Sequence, residues 1–285
     1  DLSNIEKKNI LITGGAGFIG SNLVRFFAER KIRVSVIDNL STGSLKNLNK
    51  KAKFYFSDIE DEIQISRIFK QTKPDYIFHL AAKINTSIKQ ESPTTDVNNQ
   101  VLGSLNLIKL SLKYNIKKFI FGSSVAVYGK QKILPVSEKS QKKPDTSYGI
   151  CKLFIENYLD YFNKFYRLNY ISLRYSNIFG VRQKIVGEVG VIAIFLDALK
   201  KKRSINIFGK GKLTRDFISV KDATELTYRC LHTKYIGPLN IASGNEISTN
   251  EIVKELKKYF PRLKTRYKKI RVNEIKRFKC DIKKM

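Results

Sequence analysis

Ile10-Leu11-Ile12-Thr13-Gly14-Gly15-Ala16-Gly17-Phe18-Ile19-Gly20 is the stretch that decides how this chain is read. A short apolar run enters a glycine-rich turn, and the turn opens into an amphipathic segment over residues 17–29. Strand, turn and helix in that order are the setting in which such glycines bind a pyrophosphate. Gly14 permits the tight turn, Gly17 lets the backbone approach the phosphates, and Gly20 lets the helix pack on the strand. Amides at the helix start and the helix dipole favour the anion. A second apolar run covers residues 33–37, and Asp38 follows it, eighteen residues after Gly20. A carboxylate there can accept hydrogen bonds from the adenosine ribose and repels a ribose 2′-phosphate, so NAD is expected rather than NADP.

Outward from the turn the alternation continues. Strands are predicted over residues 9–13, 33–37, 53–56, 76–80, 119–122 and 170–173, and helices over 17–29, 62–71, 97–114 and 146–164. Val97, Val101, Leu105, Ile108 and Leu112 give the third helix a continuous apolar face. Strands alternating with helices predict an α/β fold, a Rossmann-type doubly wound parallel sheet. Beyond Gly180 the pattern is irregular, with glycines at 187, 190, 209 and 211. The expected division is an NAD-binding domain over residues 1–175 and a smaller substrate-binding lobe over 176–285, with the segment near 238–260 returning to the main domain.

At 285 residues and 42% hydrophobic content, the chain can bury one substantial core and an appendage. No run approaches the roughly 20 apolar residues that span a bilayer, and the acidic start lacks a basic, then apolar, leader, so a cytoplasmic location is expected. Cys151, Cys230 and Cys280 are odd in number and widely spaced, which suits reduced thiols rather than a disulfide framework or a zinc site. His79 and His232 have no carboxylate cluster beside them, so no metal is expected. The net charge is +29, from 54 basic and 25 acidic residues. Those lysines are dispersed, without an aromatic-interleaved stripe or a reading helix, so contact with nucleic acid is expected only as a non-specific effect.

Tyr148-Gly149-Ile150-Cys151-Lys152 puts a phenol and an ammonium four residues apart, on one face of a helix. Ser123-Ser124 ends a predicted strand, at the carboxyl edge where open α/β sheets bind ligands. Lowering a tyrosine pKa from about 10 by about three units takes roughly 4 kcal/mol. A lysine cation about 6 Å away supplies roughly 2 to 3 kcal/mol at an effective dielectric near 20. A positive nicotinamide ring could supply much of the rest. Tyr148 is therefore the candidate base, Lys152 its tuner, and Ser124 the group that orients or relays the substrate proton. A Tyr-x-x-x-Lys pair alone is common by chance; its order after the glycine turn and a strand-end serine selects the reading.

Together these residues resemble the extended short-chain dehydrogenase/reductases, and within them the NAD-dependent epimerase/dehydratase family of nucleotide-sugar enzymes. Similar segments are Ser57-Asp58-Ile59, His79-Leu80-Ala81-Ala82, Ser123-Ser124-Val125-Ala126-Val127-Tyr128-Gly129, Leu173-Arg174-Tyr175-Ser176-Asn177-Ile178-Phe179-Gly180 and the run from Thr214-Arg215-Asp216 to Asp222. The resemblance implies cofactor contacts at Phe18, Ile19, Asn39, Ser41, Thr42, Gly43, Asp58, Ile59, Leu80, Ala81, Ala82 and Ser123, with Tyr175 near the nicotinamide. It implies that Asn177, Arg215 and Arg271 hold the substrate pyrophosphate, with Glu274 a nearby acid and Gly190 and Val191 further substrate contacts. Arginine suits that task because its planar fork binds phosphate bidentately. Phe278 stands where a ring narrows the sugar pocket and disfavours an N-acetyl group.

The resemblance also bears on the reaction. Family dehydratases carry an Asp-Glu pair after the serine, and the decarboxylases keep a glutamate at the second of these positions; here Val125 and Ala126 cannot transfer protons. The remaining set implies a UDP-sugar 4-epimerase, interconverting UDP-glucose and UDP-galactose through a 4-keto sugar that turns over while its nucleotide stays anchored. Alternatives are a UDP-N-acetylglucosamine or UDP-uronate 4-epimerase, a nucleotide-sugar reductase, or an inactive NAD-binding or RNA-binding relative. The helices over 97–114 and 146–164 resemble those of the family's dimer interface, so a homodimer is expected. Departures from the pattern are Cys151 for a serine, Gln100 for an asparagine and Arg271-Val272-Asn273-Glu274 for Arg-x-Gly-Asp. The end at Met285 reads as truncated relative to the family.

Overall fold

The structure is a computed structural model that describes residues 5–82, 97–184, 190–270 and 274–285. β1 (Ile10–Thr13) runs into the glycine turn and α1 (Phe18–Glu29) leaves it. There follow β2 (Val34–Asp38), β3 (Lys53–Phe56), α2 (Glu62–Thr72) and β4 (Tyr76–His79). After α3 (Gly103–Lys113) come β5 (Lys118–Ser124), α4 (Ser147–Tyr166) and β6 (Tyr170–Tyr175). The smaller elements are β7 (Asn177–Phe179), α5 (Val191–Lys200), β8 (Ile205–Phe208), β9 (Thr214–Ser219) and α6 (Val220–Arg229). Last are β10 (Gly237–Ile241), β11 (Glu246–Ser248), α7 (Thr249–Tyr259) and β12 (Thr265–Lys268).

Seven strands form one parallel sheet in the order β10-β6-β5-β4-β1-β2-β3. Strands covered on both faces need continuous apolar runs, which Ile10 to Ile12 and Phe119 to Phe121 supply. Leu23, Val24 and Phe27 of α1, with Val220 and Ala223 of α6, cover one face; Ile65 and Phe69 of α2, Leu107 of α3, and Ile155 and Leu159 of α4 cover the other. The order reverses between β1 and β4, the switch point outside which such sheets take their ligands.

Four elements differ from the sequence reading in ways that matter for the site. β2 runs one residue further, so Asp38 ends the strand itself. β5 reaches Ser124 and β6 reaches Tyr175, with Ser124 and Tyr175 in register. The predicted helix over 97–114 divides into a π-helical turn, Val97–Leu102, and α3. Apolar spacing does not register the wider turn, because its residues still alternate between exposed Val97 and buried Val101.

The later residues build a three-stranded sheet, β11-β9-β7, whose Ile178 and Ile218 join the main core, and a two-stranded one, β12-β8, whose Ile205 and Ile207 pack with Phe195 and Val253. Between these pieces β10 pairs with β6 at the edge of the main sheet, Leu239 opposite Leu173. Among the described residues no helix is long and apolar enough to cross a membrane.

Candidate functional site

Gly14 has φ +71°, and a Cβ there would lie 2.6 Å from the Ala81 nitrogen. That conformation and that approach together require glycine. Gly20 abuts the Gly14 carbonyl, so a side chain there would collide with the turn. Gly17 caps α1 without any side-chain bond, which leaves the first-turn amides of Phe18, Ile19 and Gly20 to an anion. Asp38 accepts from the Ala16 amide at 2.9 Å and from the Leu40 amide at 2.8 Å. It thus fastens the turn to the end of β2, a role the sequence reading did not assign, and its carboxylate keeps lone pairs for ribose hydroxyls. Beyond it, Asn39 donates to Asp58 at 2.7 Å and accepts from the Ser41 amide at 3.0 Å. The backbone at Gly43 passes so close that a Cβ would lie 2.8 Å from Asp38 Oδ1. Ile59 packs under Gly103.

On the β4 side the Leu80 amide donates to Thr13 O at 3.1 Å, and the Ala81 amide to Thr13 Oγ1 at 3.3 Å; Ala82 follows as the last described residue of that segment. His79 lies beneath, Nδ1 2.7 Å from Thr13 Oγ1 and Nε2 2.8 Å from Ser104 Oγ. Ser104 gives its proton to the Gln100 carbonyl, which assigns the His79 proton to Nε2. Burial pushes this histidine down to about 3, with Lys152 adding to the effect, so it is neutral. The Gln100 side chain is buried with neither polar atom partnered among the described residues. An uncapped helix start, a glycine cradle, an acid at the end of β2 and an orphaned amide on the π-helical turn fit a dinucleotide.

The Thr146 hydroxyl accepts from the Gly149 amide at 3.1 Å and starts α4, whose first turn carries Tyr148 and whose second carries Lys152. Lys152 Nζ donates to the Gly122 carbonyl at 2.7 Å and lies 5.6 Å from the Tyr148 ring centre. Ser124 lies close enough to Tyr148 to draw its pKa down, and it accepts from the Ala126 amide at 3.2 Å. The three candidate catalytic side chains therefore meet at the end of β5. Tyr148 is 8% exposed and Lys152 2%. Burial pushes Tyr148 up to about 12 against the pull of Ser124, and pushes Lys152 down to about 7 against Cys151 and Glu156. This corrects the sequence-based argument, which weighed only the attraction between the two charges: desolvation opposes both. At that separation a charged lysine contributes about 3 kcal/mol, roughly two pKa units, so a further positive charge is needed for a phenolate near neutrality.

Sequence reasoning missed the buried network behind these residues. Glu156, one turn after Lys152, accepts from Ser123 Oγ at 2.6 Å and from Arg174 Nη2 at 2.6 Å. Arg174 Nη1 donates to Tyr128 Oη at 2.9 Å, and that hydroxyl donates to Asn240 Oδ1 at 2.7 Å. The available signal was an arginine inside the mostly apolar run of β6. Tyr175 stands in register with Ser124, and its hydroxyl bonds Thr227 of α6 at 2.7 Å in the apolar interior.

In the smaller lobe, Asn177 pairs in register with Phe217, and Arg215 stands two residues before it, so both lie on one face of β11-β9-β7. Asn177 donates to Asp216 O at 3.1 Å. Arg215 donates to the Ile275 carbonyl at 2.7 Å and pairs with Glu274 at 2.7 Å, so the acid expected beside Arg271 is held by Arg215. Arg271 lies outside the described residues. Gly190 caps α5, and Val191 packs against the lobe core. Phe278 is not a free ring at a pocket rim. It is 3% exposed and packs with Val127, Tyr128 and Val136, because the chain from 274 onward folds back beneath the turn that follows Ser124. A cavity of about 430 Å³ in this lobe is lined by Phe179, Phe217, Leu226 and Met285 among others, and by none of Ser124, Tyr148 or Lys152.

The model of the NAD dependent epimerase/dehydratase family matches residues 10–242. A putative UDP-glucose 4-epimerase of Methanocaldococcus jannaschii is 41% identical over 278 residues, 96% of this chain and 90% of that protein. The crystal structure of a Thermotoga maritima UDP-glucose 4-epimerase with UDP-glucose superposes with a TM-score of 0.93 at 39% identity, covering 97% of this chain and 90% of that one. A UDP-N-acetylglucosamine 4-epimerase of Methanobrevibacter ruminantium, in complex with UDP-N-acetylmuramic acid, has a TM-score of 0.91 at 33% identity, with coverages of 97% and 90%.

Proposed function

The chain belongs to the NAD-dependent epimerase/dehydratase family, and from that premise we propose that it is an NAD-dependent nucleotide-sugar 4-epimerase that interconverts UDP-glucose and UDP-galactose. The observation that carries the reading is the meeting of Tyr148, Ser124 and Lys152 at the end of β5, beside the glycine turn. A bound nicotinamide would supply the acceptor and donor for the hydride of sugar carbon 4. Tyr148 accepts the proton of the sugar 4-hydroxyl, Ser124 orients that hydroxyl, and Lys152 holds positive charge under the phenol. Val125 and Ala126 supply no acid or base for elimination, which leaves the 4-position chemistry alone. Asn177 and Arg215, with Arg271, hold the pyrophosphate so that the sugar can turn over between proton removal and return. Glu274 fixes the Arg215 fork.

Homodimerisation is part of this reading. Ile150, Phe154, Tyr158, Tyr161 and Phe165 form an exposed apolar stripe at helical spacing along α4, the length a second α4 would cover. The test of activity is product chromatography of the purified protein with UDP-galactose: UDP-glucose forms without net consumption of added NAD or NADPH. No UDP-glucose, or a requirement for stoichiometric NADPH, rejects it. The likeness to a UDP-N-acetylglucosamine 4-epimerase favours a second reading, in which the N-acetylated sugar is the substrate. A panel containing both sugars separates the two.

A further inference from the structure

Past β7 the chain does not continue directly into the smaller lobe but lies back on the two elements that frame the dinucleotide crevice. Asn22, one turn into α1, donates through Nδ2 to the Val181 carbonyl at 3.2 Å and accepts through Oδ1 from Arg182 Nη2 at 2.6 Å. Two residues on, Lys184 Nζ donates to the carbonyls of Thr42 at 3.1 Å and Gly43 at 2.9 Å, in the loop that follows Asp38. Residues 181–184 thus reach from the helix that starts at the glycine turn to the loop at the adenosine end of the same crevice. Arg182 holds φ at +69°, which an arginine keeps only where its surroundings impose it. Its Nε is buried without a partner among the described residues.

We infer that residues 181–184 are a strap across the dinucleotide crevice, and that Arg182 and Lys184 retain the bound cofactor through the catalytic cycle. The inference rests on the NAD reading. In a reaction that returns its hydride to the carbon it came from, loss of the reduced cofactor halfway strands an oxidised sugar, so cofactor release must be slower than turnover. A strap anchored at both ends gives that slowness, because release requires the Arg182–Asn22 contact and the Lys184 contacts to open together. The anchors on the main sheet are two backbone carbonyls and one amide side chain, none of which titrates near neutrality.

The experiment is release of radiolabelled NAD from loaded protein after a chase with unlabelled NAD. Arg182→Ala and Lys184→Ala are each expected to speed release by about tenfold or more, the effect of losing at least one charge-assisted hydrogen bond. Lys184→Arg, which keeps the donor, should restore slow release, whereas a merely structural role would show instead as a lowered unfolding midpoint. Asn22→Ala opens the same clasp from the α1 side and stands in if Arg182→Ala does not fold. Release at the wild-type rate in the alanine variants overturns the strap. Wild-type protein that captures no labelled NAD overturns the NAD reading itself, and the strap with it.

Discussion

Arg174 closes Nε and Nη2 on the carboxylate of Glu156, at 3.0 and 2.6 Å, where Arg174 is 2% exposed and Glu156 6%. Breaking such a pair from one side leaves a charge without water or partner, which costs about 3 to 5 kcal/mol, whereas replacing both partners by neutral groups costs far less. Glu156→Gln is therefore expected to lower stability by about that amount, and Glu156→Gln with Arg174→Met to recover most of it. Urea denaturation of the three proteins decides it; a double variant no more stable than Glu156→Gln would mean that the pair is not coupled.

Tyr148→Phe removes the proton acceptor and leaves the glycine cradle untouched. Turnover of UDP-galactose should fall by about 100- to 10,000-fold while NAD affinity, read by calorimetry, changes little. A phenylalanine variant that works at the wild-type rate would remove Tyr148 from the chemistry.

His79 gives a pH dependence of stability with a definite sign. Its pKa is about 3 in the native protein against 6.5 for a free side chain. Between these values the unfolded chain binds a proton that the native one does not, so this contribution is complete above pH 6.5 and is lost as pH falls towards 3. The slope approaches about 1.4 kcal/mol per pH unit. Urea midpoints measured from pH 7.5 down to 4.5 should fall more steeply for the wild type than for His79→Gln; parallel curves count against it.

Gly14→Ala forces a left-handed backbone onto an L side chain and drives its Cβ against Ala81. The expected loss is about 1 to 3 kcal/mol. Calorimetry should show a lower Tm together with weaker NAD binding.

Phe154→Lys with Phe165→Lys places two charges on the exposed stripe of α4. Sedimentation equilibrium should find the wild type as a dimer and this variant as a monomer; an unchanged mass would reject the stripe as the contact.

Local pattern carried the parallel sheet, the turn and the Tyr148–Lys152 pair into the sequence, because alternation, glycine spacing and i, i+4 spacing are properties of neighbours. Asp38 was legible for the same reason, although its grip on Ala16 was not. What stayed hidden depends on distant segments. Glu156 and Arg174 are ordinary charges until β5, β6 and α4 come together around them, and the inward turn of the Tyr175 hydroxyl follows from Thr227 on α6. The burial that moves Tyr148 and Lys152 away from their working charges likewise belongs to the assembled fold, and so does the packing of Phe278 under Tyr128.

β10 takes its place beside β6 only after β7, β8, β9 and two helices have been made. A nascent chain that has finished β6 therefore carries a raw margin of unpaired amides and carbonyls, a template for any extended stranger, until Gly237–Ile241 leaves the ribosome. Synthesis halted short of that strand yields a sticky intermediate rather than a small working half, and chaperone demand should peak in that window of translation.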